Sequence, residues 1–186
     1  MRKLNCFNFI SLNGFYKGEN EDLSWHHHDE EGARFSEENL KGGGTLVFGR
    51  ITFEMMHSFW TSKQAFESLP NIAEGMNKAE KIVFSNTLEI AAWQNTTLIK
   101  GDMIKEVKKL KSTPGNDMCI LGSGNIISQL AEHNLIDEYQ LLVNPLVLAK
   151  GTPLFKDMKH QLNLKLTSTR TFKNGNVLMF YERVGE

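Results

Sequence analysis

Short apolar runs alternate with amphipathic stretches from one end of the chain to the other, with no internal repeat and no long Pro/Gly/Ser linker. Residues 3–10 read as a strand. The Asn-Gly pair that ends Ser11-Leu12-Asn13-Gly14 favours positive φ and hence a turn. A polar loop with Gly18 leads to Trp25. Asp29-Glu30-Glu31 then supplies acidic residues suited to a helix's first turn, and that helix is expected to reach about Leu40 and break at Gly42-Gly43-Gly44. Thr45-Leu46-Val47-Phe48 is a short apolar strand that passes through Gly49-Arg50 into a helix starting near Thr52. Lys81-Ile82-Val83-Phe84 repeats the pattern, with Ser85-Asn86-Thr87 as its polar tip.

After Asp102, a candidate helix cap, Met103, Ile104, Val107 and Leu110 fall on one helical face. Met118-Cys119-Ile120-Leu121 reads as a buried strand that ends in Gly122-Ser123-Gly124, and the following helix carries Ile126, Ile127 and Leu130 inward. Residues 139–143, 164–172 and 177–181 are strand-like without a long helix between them, and Asn174-Gly175 signals a type I′ hairpin. The expected fold is one α/β domain over residues 1–186, with a central, mostly parallel mixed sheet, flanking helices and an antiparallel C-terminal hairpin.

Composition narrows the partners. The 186 residues carry 21 basic and 22 acidic side chains for a formal charge of −1, which gives no electrostatic footprint for nucleic acid or an anionic membrane surface. At this length a fold buries roughly 70% of the unfolded chain's surface, so neither disulfides nor a structural metal are needed. Cys6 and Cys119 sit in separate apolar runs without CxxC spacing, which reads as buried thiols in a reducing, cytoplasmic setting. The start lacks signal-peptide character, and no run reaches the ~18 apolar residues of a membrane span.

Three strand tips carry small or hydroxyl residues: Gly49 to Thr52, Ser85 to Thr87, and Gly122 to Asn125. Ligands of open α/β sheets bind beyond the carboxyl ends of the strands. Glycines let a backbone approach phosphate, and helix N-termini offer free N–H donors, so three tips, one with a guanidinium, point to a nucleotide. The Rossmann fingerprint is missing, because Ile127 stands where its last glycine belongs, and the P-loop, HExxH and GxSxG are absent too. His26-His27-His28 cannot easily converge on one ion, because consecutive side chains diverge, so no metal is expected; His57, His133 and His160 are scattered. Of the carboxylates, Glu31 shares a helical face with Phe35, and desolvation there would raise its pKa toward that of a proton donor. Ordinary first-turn residues would look the same.

Read in order, Ser11-Leu12-Asn13-Gly14-Phe15, Trp25, Phe48-Gly49-Arg50-Ile51-Thr52-Phe53-Glu54, Phe84-Ser85-Asn86 and Leu121-Gly122-Ser123-Gly124 resemble the dihydrofolate-reductase-like superfamily over nearly the whole chain. Leu135-Ile136-Asp137-Glu138-Tyr139, Asn144-Pro145-Leu146-Val147-Leu148 and Gly151-Thr152-Pro153-Leu154-Phe155 resemble its riboflavin-biosynthesis reductase branch, the RibD C-terminal domain. The resemblance implies an NADPH-dependent reductase and a homodimer formed through the late strands. It implies phosphate binding by Gly49, Arg50 and Thr52, with Arg50 on the adenosine 2′-phosphate. Ser85, Asn86 and Thr87 would lie at the adenosine, and Gly122, Ser123, Gly124 and Asn125 around the pyrophosphate. Ser11, Asn13 and Trp25 would lie near substrate, with Glu31, or its neighbour Glu30, as the acidic catalytic residue. Folate reductases carry an arginine six residues before the serine of the Ser85 tip; here it is Ala79, with Lys78 and Lys81 as partial substitutes. The riboflavin branch usually has Asp where Asn13 stands. The implied substrate is therefore a pyrimidine, a pterin or a small carbonyl or imine compound, and the competing reading is a catalytically silent nucleotide-binding or interaction protein of the same fold.

Overall fold

The structure is a computed structural model that describes residues 1–185. Its main sheet has eight strands in the order β5-β4-β3-β6-β1-β7-β10-β9. These are β1 (Leu4–Ser11), β3 (Thr45–Gly49), β4 (Lys81–Phe84), β5 (Thr96–Ile99), β6 (Met118–Leu121), β7 (Glu138–Asn144), β9 (Leu164–Thr171) and β10 (Val177–Arg183). A two-stranded flap pairs β2 (Phe15–Gly18) with β8 (Gly151–Pro153). The helices are α1 (Glu30–Lys41), α2 (Arg50–Trp60), α3 (Lys63–Ser68), α4 (Pro70–Lys78), α5 (Met103–Ser112) and α6 (Gly124–Glu132).

The pairs β1–β6, β1–β7, β3–β4, β3–β6 and β4–β5 are all parallel, so these six strands end on one rim. Helices cover both faces, which is why the central strands read as unbroken apolar runs. One face buries Leu4, Cys6, Val47, Ile82 and Ile120 under Val107 of α5 and Ile127 and Leu130 of α6. On the other, Leu46, Phe48 and Val83 pack with Phe53, Ile72 and Trp93, while Leu142 and Leu178 pack with Phe35 of α1. Asp29 caps α1 by accepting from Gly32 N, and Asp102 caps α5 by accepting from Lys105 N, as the sequence indicates.

Several elements depart from the sequence reading. The helix expected near Thr52 starts at Arg50, because Gly49 itself takes the extended cap conformation. The β9–β10 connection is not a type I′ turn. Gly175 takes φ of +91° while Asn174 stays outside the positive-φ region, and the turn closes through Gly175 N to Phe172 O (3.0 Å) and Phe172 N to Asn176 O (2.9 Å). That is the longer hairpin solution, with glycine at the left-handed position. The β2–β8 flap, α3, α4 and β5 were not legible in advance. Among the described residues, no helix is long and apolar enough to cross a membrane.

Candidate functional site

Sheet order arranges the tips along the rim. Ser85 to Thr87 follow β4, Gly49 to Thr52 follow β3, Gly122 to Asn125 follow β6, Ser11 to Gly14 follow β1, and Asn144 ends β7. At ~4.8 Å per strand, the β4 and β1 tips stand about 14 Å apart.

The β3 and β6 tips are joined directly. Gly49 N donates to Ser123 Oγ at 3.0 Å. Neither Gly49 nor Ser123 caps its own helix through a side chain, whereas Asp29, Ser62 and Asp102 cap α1, α3 and α5. The first N–H groups of α2 and α6 are thus left side by side at the positive ends of two helix dipoles, which is an anion site. The turn before α6 is tightly wound, with Gly122 at φ +62° and Ser123 at φ +54°. A Cβ on Gly122 would stand 3.2 Å from Thr52 Cγ2, and one on Gly124 would run into the Tyr16 ring of the flap at 2.6 Å. Both glycines are thus required by close packing, of the Tyr16 ring over Gly124 and of the Thr52 methyl beside Gly122; what fits a pyrophosphate is the pair of free helix N-termini, and in that respect the residues present fit the dinucleotide that the tips suggested. Arg50 stands exposed at the start of α2, its Nη1 3.0 Å from Glu54 Oε2.

Other candidates are spent on structure. Asn86 Oδ1 accepts from Gly101 N (2.6 Å), tying the β4 tip to the loop after β5, and Ser85 Oγ accepts from Leu88 N (2.9 Å). Thr87 is exposed, and Asn125 Oδ1 accepts from Gln129 Nε2 (2.8 Å). Ser11 is fully buried; its hydroxyl bonds Asn13 Oδ1 (2.8 Å) and accepts from Phe15 N (3.0 Å). Asn13 also bonds both the N–H and the carbonyl of Leu148, so it staples two rim loops together. Trp25 is buried, with Nε1 donating to the Asp22 carbonyl (3.1 Å).

The two carboxylates separate cleanly. Glu30 is 95% exposed and only loosely paired with Arg34, whereas Glu31 is 24% exposed and turned toward the β9–β10 hairpin. Its Oε2 accepts from Lys173 N at 3.1 Å and its Oε1 lies 3.9 Å from Arg170 Nη2. The Arg170 guanidinium in turn sits over the rings of Phe172 (4.9 Å) and Phe35 (5.4 Å). Lys81 does not substitute for the missing arginine, because its ammonium is buried and used by the carbonyls of Met76, Asn77 and Ala79.

Sequence reasoning missed the aromatic lining beside β1. Phe9 stacks with His26 (centroids 4.5 Å apart, 13° between planes) and lies 5.1 Å from His28, while Phe7 and Phe35 meet at 6.1 Å. Burial pushes the His26 pKa down to about 4, with the charge of His28 adding to it, and pushes that of His28 down as well. Among the described residues no group of three or more His, Cys, Asp or Glu could hold a metal ion.

The model of the RibD C-terminal domain family matches residues 2–178. The YyaP protein of Bacillus subtilis (strain 168), itself uncharacterised, is 31% identical over 172 residues, covering 92% of this chain and 90% of YyaP. A putative riboflavin biosynthesis protein from Shewanella sp. PV-4 superposes with a TM-score of 0.76 at 21% identity, over 98% of this chain and 99% of that one. A dihydrofolate reductase from Enterococcus faecalis complexed with NADP(H) gives 0.65 at 16% identity, over 97% and 96%. The chain belongs to the RibD C-terminal domain family and has the dihydrofolate-reductase-like fold.

Proposed function

We propose that this protein is an NADPH-dependent reductase of a small planar heterocycle of the pyrimidine or pterin class. The observation that carries the reading is the pair of uncapped helix N-termini after β3 and β6, locked together by the Gly49–Ser123 bond with Arg50 beside them. Backbone N–H groups of both helices would hold the pyrophosphate, and Arg50 the adenosine 2′-phosphate, where guanidinium geometry matches phosphate oxygens. When bound, a reduced nicotinamide supplies the hydride. What remains for the chain is to orient the substrate and handle a proton. Glu31, on the α1 face of Phe35, is the carboxylate in position to hold that proton at Oε1 or Oε2, which requires it to loosen from Lys173 N and Arg170. Residues 11–14, with β2 and β8, would close the nicotinamide end. The edge strand β9, exposed along most of its length, is the surface we assign to a homodimer.

The test is cofactor titration of wild type and Arg50→Ala, with NADH as control. Wild type should prefer NADPH, Arg50→Ala should lose about 10- to 100-fold in NADPH affinity, the scale of a charge-assisted bidentate contact, and NADH binding should be unchanged. Equal NADPH affinity in both proteins would remove the phosphate assignment.

A second reading, binding without turnover, is favoured by the rings of Phe9, His26 and His28 gathered beside β1 and by the internal use of Ser11 and Asn13. NADPH binding without NADPH oxidation across pyrimidines and pterins would select it.

A further inference from the structure

The β2–β8 flap reaches over the start of α6. Strand β2 is held close against β8, so that a Cβ on Gly151 would stand 2.3 Å from the Lys17 carbonyl oxygen, and the turn before β2 is fixed by Leu154 N to Gly14 O (2.9 Å) and Phe15 N to Ser11 Oγ (3.0 Å). Tyr16 is the flap residue that this brings to the rim. Its ring packs on the core cluster that includes Ile10, Ile126 and Leu154, and its Cε1 and Cζ lie 2.6 Å from the place a Cβ on Gly124 would take.

Gly124 is the first residue of α6, and the Cα–Cβ bonds of a helix tilt toward its N-terminus, so the ring edge in that place stands off the N-terminal end of the helix. The hydroxyl is one bond beyond Cζ. It therefore lies beside the first N–H groups of α6, those of Gly124 and Asn125, which no side chain caps. Packing on Gly124 needs only a ring, which phenylalanine would supply; the phenol adds a polar tip. Unlike Tyr139, whose hydroxyl is buried without a partner, the half-buried Tyr16 keeps its hydroxyl open to solvent. The neighbouring ammonium of Lys17, 5.4 Å from the ring centre, is paired with Glu21 and can only donate, so the phenol proton is left free for an acceptor.

We propose that Tyr16 Oη donates a hydrogen bond to the pyrophosphate of the coenzyme. The assignment rests on the reductase reading above for the identity of the ligand, and it adds a side chain of the flap to a binding set otherwise made of strand tips. A hydroxyl bonded to an ionised oxygen is a charge-assisted donor, about twice as strong as a neutral one. Because the next residue back, Phe15, is bonded to Ser11 at the β1 tip, the contact also ties the coenzyme's phosphates to the loop that borders the substrate end.

The experiment titrates NADPH, NADP+ and 2′-AMP by calorimetry into wild type, Tyr16→Phe and Tyr16→Ala. Tyr16→Phe keeps the ring over Gly124 and removes only the donor, so its melting temperature should match wild type. We expect it to bind NADPH and NADP+ about tenfold more weakly, the scale of one hydrogen bond to a charged group, while 2′-AMP, which has no pyrophosphate, stays within about twofold. Tyr16→Ala should lose at least as much for both dinucleotides. In 31P spectra of bound NADP+, the pyrophosphate resonances should differ between wild type and Tyr16→Phe while the 2′-phosphate resonance coincides. Equal NADPH affinity in wild type and Tyr16→Phe, an equal loss for 2′-AMP, unchanged pyrophosphate resonances, or tighter binding by Tyr16→Ala, as for a ring that obstructs the phosphates, would each overturn the assignment. A wild type that binds no NADPH removes the reductase reading and this assignment with it, whereas NADPH binding indifferent to Tyr16→Phe removes the assignment alone.

Discussion

Ser123 Oγ accepts the Gly49 amide proton at 3.0 Å while donating to the Leu121 carbonyl at 3.4 Å, so one hydroxyl fixes the spacing of two adjacent strand tips. Ser123 does this from φ +54°, where an L-residue is held at a cost of roughly 1–2 kcal/mol. Ser123→Ala keeps that strain and orphans the Gly49 N–H, and should lower stability by about 1–2 kcal/mol in urea denaturation. Ser123→Gly loses the same bond but relieves the backbone, and should fall closer to wild type. Both should weaken NADPH binding several-fold. Unaltered affinity in both would mean that the two helix N-termini do not act together.

Arg50 is engaged by Glu54 one helical turn away at 3.0 Å, with both side chains nearly half exposed. Such i,i+4 pairs contribute only about 0.3–0.5 kcal/mol, so Glu54→Gln should scarcely change stability. It should release the guanidinium to a 2′-phosphate and raise NADPH affinity by about two- to threefold, leaving NADH unaffected. A parallel change for both coenzymes would show that Glu54 acts through general charge and not through Arg50.

Glu30 and Glu31 are neighbours with opposite surroundings, and activity should sort them. Glu31→Gln should reduce turnover by 100-fold or so, the scale of general acid–base assistance, while NADPH affinity holds. Glu30→Gln, at a 95% exposed side chain, should leave both within about twofold. If Glu31→Gln turns over normally yet melts earlier, then its bonds to Lys173 and Arg170 are its whole purpose.

The strands that build the rim were legible because burial on both faces writes them as continuous apolar runs, and glycines mark their tips. That is why β3, β4 and β6 and the turns after them stand where expected. The β2–β8 flap is four residues against three, paired over more than 130 positions of chain, and nothing local specifies it. Glu31 was visible from its spacing to Phe35, but its partners come from a hairpin 142 residues away in the case of Lys173. For the histidine run, the sequence argument addressed only whether three consecutive side chains converge on one ion. The same argument could not show that His26 would lie on Phe9, because stacking between a loop and a strand leaves no periodic trace.

Acid should weaken the fold through the same imidazole. The native pKa of His26 is about 4, below the ordinary value near 6.5, so between those values the unfolded chain binds more protons. Its contribution to stability is fully present above pH 6.5 and is lost as the pH falls toward 4, and His28, shifted in the same direction, adds to the slope. His26→Phe should flatten the melting temperature against pH over that window. An identical acid slope in the variant would assign the sensitivity to other groups.

Lys81 makes the sharpest case at the opposite end of the sheet. Its side chain is 1% exposed, its Nζ donates to the carbonyls of Met76 (2.8 Å), Asn77 (3.2 Å) and Ala79 (2.6 Å), and it lies 4.6 Å from the centre of the Trp93 ring. Burial disfavours the charge and pushes its pKa down to about 8, yet an ammonium has three N–H donors for three acceptors at the negative end of α4. Burial outweighs the acceptors for the charge itself, but replacing Lys81 with Met would strand three carbonyl oxygens at once. Lys81→Met should cost about 2–4 kcal/mol at pH 7 without altering NADPH affinity of the folded protein. Between about pH 8 and 10.5 the unfolded state holds more protons at this site, so Lys81 should add stability as the pH rises, and the Met variant should lose that rise. A Met variant as stable as wild type at pH 7 would show that desolvation, and not the carbonyl cage, governs this buried charge.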